Sequence, residues 1–263
     1  VRLEVSDHPG LHMKPGQDLA RLDARDPDRF RQTAPKVALI IGNIVGRVGG
    51  AERIFVELAN MLVARGYEVS CVHFEKRDGK PFYPLDRRAE LINVFPRHPL
   101  PRPWPLTMLT SRPLPDSLRN MVQWHLKRGP IVALLRDYFR HATPDVAISF
   151  LPPANTPALL AGAGTDVKVI PTNHNVLTHD YLDPRRWSSN PHDRKKRLKA
   201  LRHAAAIHVI FAEFAEWLPD YLRQKTVVIP NYISKRVLRH KPDENREKVI
   251  LGVGRLTPVK NYG

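Results

Sequence analysis

The chain has 263 residues, 42% of them apolar, enough to bury one large core or two small ones. A formal charge of +16 points to an acidic partner: nucleic acid, an anionic membrane surface or a phosphorylated substrate. The single cysteine, Cys71, excludes an intrachain disulfide and a cysteine-rich metal site, and no apolar stretch reaches the roughly 20 residues that span a bilayer, so the sequence reads as cytosolic.

In chain order, residues 1–34 are polar, punctuated by Pro9, Pro15 and Pro27, balanced in charge and without helical or strand period, which predicts a disordered leader. Lys36 to Gly42 is a continuous apolar run of the kind found in strands covered on both faces. After a glycine-containing turn, Ile54, Leu58, Met61 and Leu62 recur at helical spacing, and Gly66 stands where a helix end favours a residue tolerant of positive φ. Further strand-like runs follow at Tyr67–Phe74, Leu91–Phe95, Asp145–Phe150, Val167–Thr172, Ala206–Phe211 and Thr226–Ile229, most of them separated by helical patterns. The alternation predicts an α/β fold, a Rossmann-like doubly wound parallel sheet. Cys71 lies inside one of these runs and reads as a buried, inert thiol.

The basic excess is local: residues 97–142 and residues 183–203 each hold eight basic and two acidic side chains. The first stretch overlaps a proline-rich segment, 96–115, with Trp104, Leu106, Met108 and Leu109 among arginines, which predicts an extended loop. The second contains Asp193–Arg202, a cationic helix with Leu198 and Leu201 on its apolar side. That helix reads either as a solvated face or, with the 96–115 loop, as a rim that docks on anionic lipid.

The predicted domain 35–234 is followed by a charged linker at 235–247 and by Lys248 to Gly254, a new buried strand with a turn after it. A compact domain takes roughly 100 residues or more. Residues 248–263 therefore read as the first strand and turn of a truncated second domain.

Three segments carry chemistry. The turn after the first strand, Gly42-Asn-Ile-Val-Gly46-Arg-Val-Gly49-Gly50, leads into a helix whose free N–H groups and macrodipole favour an anion; its G-x3-G-x2-G-G spacing departs from the dinucleotide fingerprint and also suits a plain tight turn. Thr172-Asn-His174-Asn follows a predicted strand at the carboxyl edge of the sheet, where doubly wound folds hold ligands, so His174 is a candidate for proton transfer or for orienting a hydroxyl. Gly254-Arg255-Leu-Thr-Pro-Val-Lys260-Asn261 follows the last strand, and its guanidinium and ammonium suit the phosphates of a nucleotide diphosphate.

Gly49-Gly50-Ala-Glu52-Arg53, Thr172-Asn-His174-Asn175, Val228-Ile-Pro230-Asn231 and Val253-Gly254-Arg255-Leu-Thr-Pro-Val-Lys260-Asn261, in this order, resemble glycosyltransferase family 4, and the resemblance covers residues 36–263. It implies the N-terminal half of a retaining, metal-independent GT-B enzyme with no cofactor, using a UDP- or GDP-sugar as donor substrate and a glycan or lipid-linked acceptor. By position it implies that Gly49 and Gly50 face the donor diphosphate and acceptor, that His174 lies near the transferred sugar and acts in catalysis, and that Arg255 and Lys260 grip the donor phosphates. The family's E-x7-E motif is not reached, so the resemblance implies that this chain alone is inactive or nearly so. It also suggests a cytoplasmic protein, peripheral on the inner face of the membrane. Asp26-Pro-Asp28 has the form of a metal-binding string but falls in the leader.

Two other classes remain in view. A short-chain NAD(P)-dependent dehydrogenase would use the glycine turn, Glu75 at the end of the second strand for the ribose, and Tyr221 with Lys225. A basic nucleic-acid-binding protein is permitted by the charge, but the basic stretches lack the interleaved aromatics that stack bases.

Overall fold

The structure is a computed structural model that describes residues 34–95 and 114–231. The predicted leader (apart from Ala34), the proline-rich loop (apart from Leu114 and Pro115), the linker at 235–247 and the 248–263 strand and turn lie outside the described residues. By contacts the chain divides into Val1–Pro230 and Asn231–Gly263, and of the second unit only Asn231 is described.

Seven strands form one all-parallel sheet: β1 (Lys36–Ile41), β2 (Glu68–His73), β3 (Glu90–Asn93), β4 (Val146–Phe150), β5 (Lys168–Asn173), β6 (Ile207–Val209) and β7 (Thr226–Val228). Their order across the sheet is β3-β2-β1-β4-β5-β6-β7. Chain direction across the sheet therefore reverses beside β1. Parallel crossovers are right-handed, so the reversal puts the helix after β1 and the helix after β4 on opposite faces. Strand periodicity divides β1 between two cores accordingly: Val37, Leu39 and Ile41 in one, Ala38 and Ile40 in the other.

Helix α1 (Gly50–Ala64) covers the first face with Phe55, Val56, Ala59 and Val63. The sequence pattern centres on Ile54 and Leu58, which are only half-buried, and Met61 is exposed, so the buried stripe is rotated by about one residue from the predicted one. Gly66 ends the helix at φ +87°, with its N–H donating to the Val63 carbonyl (3.0 Å) and the Tyr67 N–H to the Leu62 carbonyl (3.1 Å), a Schellman closure. Cys71, on β2, is fully enclosed, and burial pushes its thiol up to about 12.

The other face is covered by α2 (Asp116–Ala142), α3 (Pro152–Gly162) and α5 (Pro191–Ala200), with two short helices, α4 (Leu177–Tyr181) and α6 (Asp220–Arg223), on the connections. Helix α3 is buried on nearly every side and carries Ala154, Ala158, Ala161 and Gly162 among larger apolar residues, as a helix wedged between a sheet and other helices requires. Arg136 of α2 closes its carboxyl end, donating from Nη2 to the Leu160 carbonyl at 2.7 Å. At Gly162 a Cβ would stand 2.5 Å from Val169 Cγ2 of β5. Gly162→Ala is accordingly expected to destabilise the protein by about 1–3 kcal/mol through overpacking, read as a lower urea midpoint.

Candidate functional site

The loop after β1 is held at its base and exposed at its tip. Glu75 Oε1, buried just past β2, accepts the N–H groups of Ile44 (2.7 Å) and Val45 (2.9 Å), and His73 Nδ1 lies 3.2 Å from the same oxygen. Burial lowers the affinity of His73 for a proton, against the opposing pull of Glu75. Val45 also bridges to Pro81, and Gly46 takes φ +61°, turning the chain outward. The tip then carries Arg47 and Val48 on the surface and enters α1 through Gly49 and Gly50.

The two glycines differ in surroundings. A side chain on Gly49 would run into the carboxylate of Glu52, which folds back from the first turn of α1 and sets its own negative charge against the positive helix end. Around Gly50 the space is open. Either alanine variant is expected to fold with stability within about 0.5 kcal/mol of the parent, because only a flexible carboxylate has to move.

His174 is the first residue beyond β5 and is half-buried. Its ring stacks on Phe150, the last residue of β4, at 5.5 Å between centroids and 17° between planes, and meets His208 of β6 edge-on at 5.9 Å. Phe150 in turn receives Phe55 of α1 edge-on at 5.2 Å. The rings Phe55, Phe150, His174 and His208 thus form a continuous ladder across the carboxyl ends of β4, β5 and β6, tied to the helix that begins at Gly50. Phe150 is in register with Ile41, so this ladder stands beside the β1/β4 reversal, the position at which doubly wound sheets hold ligands.

The asparagines flanking His174 have structural duties. Asn173 Nδ2 donates to the His208 carbonyl (3.1 Å) and Asn173 Oδ1 accepts from the Tyr181 hydroxyl (3.1 Å), while Asn175 Nδ2 donates to both oxygens of Asp180. Between them they fix the backbone on both sides of His174. His208 Nε2 lies 2.8 Å from the Ile229 carbonyl. Burial lowers the proton affinity of His208, partly offset by that bond.

The turn between β4 and α3 carries strain. Leu151 has φ +68° and ψ 150°, a region costing a non-glycine residue about 1–3 kcal/mol, and such outliers cluster at functional sites.

The cationic segment forms α5 as predicted, capped by Asn190, but it is not simply a solvated face. Arg197 is only 2% exposed and pairs with Asp193, Nε to Oδ2 at 2.8 Å; it also donates to the Asp180 carbonyl. Asp193 Oδ1 accepts from Trp124 Nε1 of α2 at 2.9 Å. Arg194 bonds the Ser189 carbonyl, and Lys196 lies 5.2 Å from the centroid of the Trp124 ring. Of this run, Lys195 and Lys199 face solvent. Asp193 and Lys196 hold α5 against Trp124 of α2, and Arg197 ties it to α4.

His174, Gly49 and Gly50 therefore share the carboxyl edge of the sheet, while Arg255 and Lys260 lie outside the described residues. Of the residues proposed for a dehydrogenase, Glu75 clasps the β1 loop, Lys225 Nζ donates to the Arg202 and Ala204 carbonyls, and Tyr221 is an exposed residue of α6. Sequence reasoning missed Phe150 and Arg197 as parts of the site region. Phe150 reads as one more core residue of a strand, and Arg197 as one of many surface cations; neither pattern signals contact across elements. Asp26 and Asp28 lie outside the described residues.

No curated protein sequence matches the chain. Among solved structures it is similar to the sucrose-phosphate synthase of Thermosynechococcus elongatus, at 15% identity and a TM-score of 0.48, over 74% of this chain and 48% of that one. It is similar to Phytolacca americana UGT2 complexed with UDP-2fluoro-glucose and pterostilbene, at 14% identity and 0.49, over 77% and 54%. It is also similar to Anabaena HepE in complex with UDP and glucose, at 13% identity and 0.45, over 79% and 47%. The chain spans about half the length of these structures. The model of Glycosyltransferase Family 4 matches residues 48–235, most of the chain and all of the site region from Gly49 to His208, and the chain belongs to that family.

Proposed function

We propose that the protein is a retaining, metal-independent hexosyltransferase that moves a sugar from a UDP- or GDP-sugar to a glycan or lipid-linked acceptor, with this chain's sheet supplying the acceptor side. The observation that carries the reading is the ring ladder that joins His174 to the helix entered through Gly50, at the β1/β4 reversal, in a chain of this family. Negative charge grows on the departing diphosphate as the sugar bond breaks, and donors fixed beforehand stabilise it without reorganisation. The amide groups entering α1 at Gly49 and Gly50 would face that charge, and Arg255 and Lys260 would grip the phosphates. His174, its ring plane set by Phe150, would hydrogen-bond a hydroxyl of the transferred sugar.

Transfer of radiolabelled sugar from UDP- and GDP-sugars by the complete protein, to glycan and lipid-linked acceptors, tests the reading. Transfer from none of them, with NAD(P)H retained on purification, would sink it. A cytoplasmic protein seated on the inner membrane surface is part of the proposal, in keeping with the absence, among the described residues, of a helix long and apolar enough to cross a membrane. Lys195 and Lys199 are the residues of α5 free to meet anionic lipid, so Lys195→Glu with Lys199→Glu should weaken binding to phosphatidylglycerol vesicles, whereas reversal at Arg194 or Lys196 would disturb the helix itself.

A further inference from the structure

Beside the strained β4–α3 turn there is a small cavity lined by Arg128, Pro152, Pro153, Thr156, Trp187 and Arg197 together with Asp193 and Pro157, with a volume near 10 Å³. That is room for about one water-sized atom. The pocket lies at the carboxyl edge: Pro152 and Pro153 open α3, and Pro153 is within van der Waals range of a Cβ built on Gly42.

Its lining has more positive charge than its own partners neutralise. Arg197 and Arg128 both approach Asp193, at 2.8 and 3.9 Å, so two guanidinium groups share one carboxylate. Arg197 Nη2 is buried and has no hydrogen-bond partner among the described residues. A buried charged donor left in this way is costly, and a protein that retains one generally has an acceptor for it. The start of α3 offers no competing donors. Pro152 and Pro153 lack N–H groups, and the N–H groups of Ala154 and Asn155 already donate to the Leu151 carbonyl. Recognition here falls to side chains: Arg197 Nη2, Arg128, and the hydroxyl of Thr156.

We propose that this notch receives one oxygen of a phosphate group carried by the acceptor, with the rest of the group lying outward along Arg128 and the Trp187 wall. A phosphate fits the features together: one oxygen fills the single-atom cavity, the planar guanidinium groups match its geometry, and the uncompensated charge matches its sign. The notch is lined from α2, α3, α5 and the connection bearing Trp187, with no residue of the Gly49-Gly50 entry to α1, which distinguishes it from the site proposed for the donor phosphates. The assignment to an acceptor rests on the glycosyltransferase reading; phosphate binding itself does not.

The test is calorimetric titration of the chain with inorganic phosphate at low salt, then with glucose 6-phosphate and with monomeric dihexanoyl phosphatidic acid, all without donor. Saturable binding is expected, weakened about 10- to 100-fold by Arg128→Gln at an unchanged melting temperature and by Arg197→Lys where that variant folds. Lys195→Gln with Lys199→Gln should leave it unchanged. Tighter binding of the sugar phosphate or of the lipid phosphate identifies the acceptor's class. Equal binding by parent and Arg128→Gln, loss in the Lys195/Lys199 variant as large as in Arg128→Gln, or no saturable binding of any of the three overturns the notch. Phosphate binding that depends on Arg128, found in a complete protein that transfers no sugar, would keep the notch and overturn only the glycosyltransferase reading.

Discussion

A His174→Ala protein is expected to transfer sugar about 100- to 10,000-fold more slowly than its parent while melting at nearly the same temperature. The ring is half-buried at the end of β5, outside both cores, so its removal forfeits the stack on Phe150 and the edge contact with His208, each worth about 1 kcal/mol. The backbone on either side stays fixed through Asn173 and Asn175. If His174 only hydrogen-bonds the sugar, His174→Gln restores much of the rate; if it moves a proton, the glutamine protein is as slow as the alanine one. A kcat within twofold of the parent for His174→Ala would remove the residue from the site.

Asp193→Ala is expected to cost about 3–5 kcal/mol of folding stability, measured by urea unfolding with fluorescence of Trp124 as one probe. The loss has a specific origin. Asp193 is the only carboxylate paired with Arg197 among the described residues, it accepts the indole N–H of Trp124, and it is the nearest acid to Arg128. Deleting it leaves a buried guanidinium with the Asp180 carbonyl alone and unfastens α5 from α2. Asp193→Asn, which can still accept from Trp124 but carries no charge, should fall between the two. A loss below about 1 kcal/mol for the alanine variant would mean that α5 is held by its apolar contacts and the pair contributes little.

These two residues mark how far the sequence could be read. Every strand it predicts among the described residues is present within a few residues, because an apolar run flanked by glycine, proline and helix signals is a local property. His174 could be nominated for the same reason: a strand end is visible in one dimension. The duty of Arg197 could not. Its burial depends on α2 lying against α5, and α2 itself is obscured in the sequence by Gly129 and Pro130 in mid-helix. Likewise Glu75 ends a strand where a ribose-binding acid would sit, yet its Oε1 is taken by the backbone of the β1 loop, a pairing across 30 residues that no local pattern reports. Ring stacking between Phe150 and His174 belongs to the same kind of information, because it arises from register between β4 and β5.

The interior place of β1, between β2 and β4, also bears on the order in which the sheet can assemble. Its two neighbours are β2, available soon after it is made, and β4, whose approach is marked by the Lys36 N–H donating to Asp145 across 109 residues. Until the ribosome has released that distant partner, Val37–Ile41 has one open hydrogen-bonding edge and the face bearing Ala38 and Ile40 lacks α3. Assembly of the sheet therefore waits on a late, long-range pairing rather than growing outward from the amino terminus. Before that pairing forms, the open edge of this apolar strand is the part of the nascent chain most exposed to pairing with other chains.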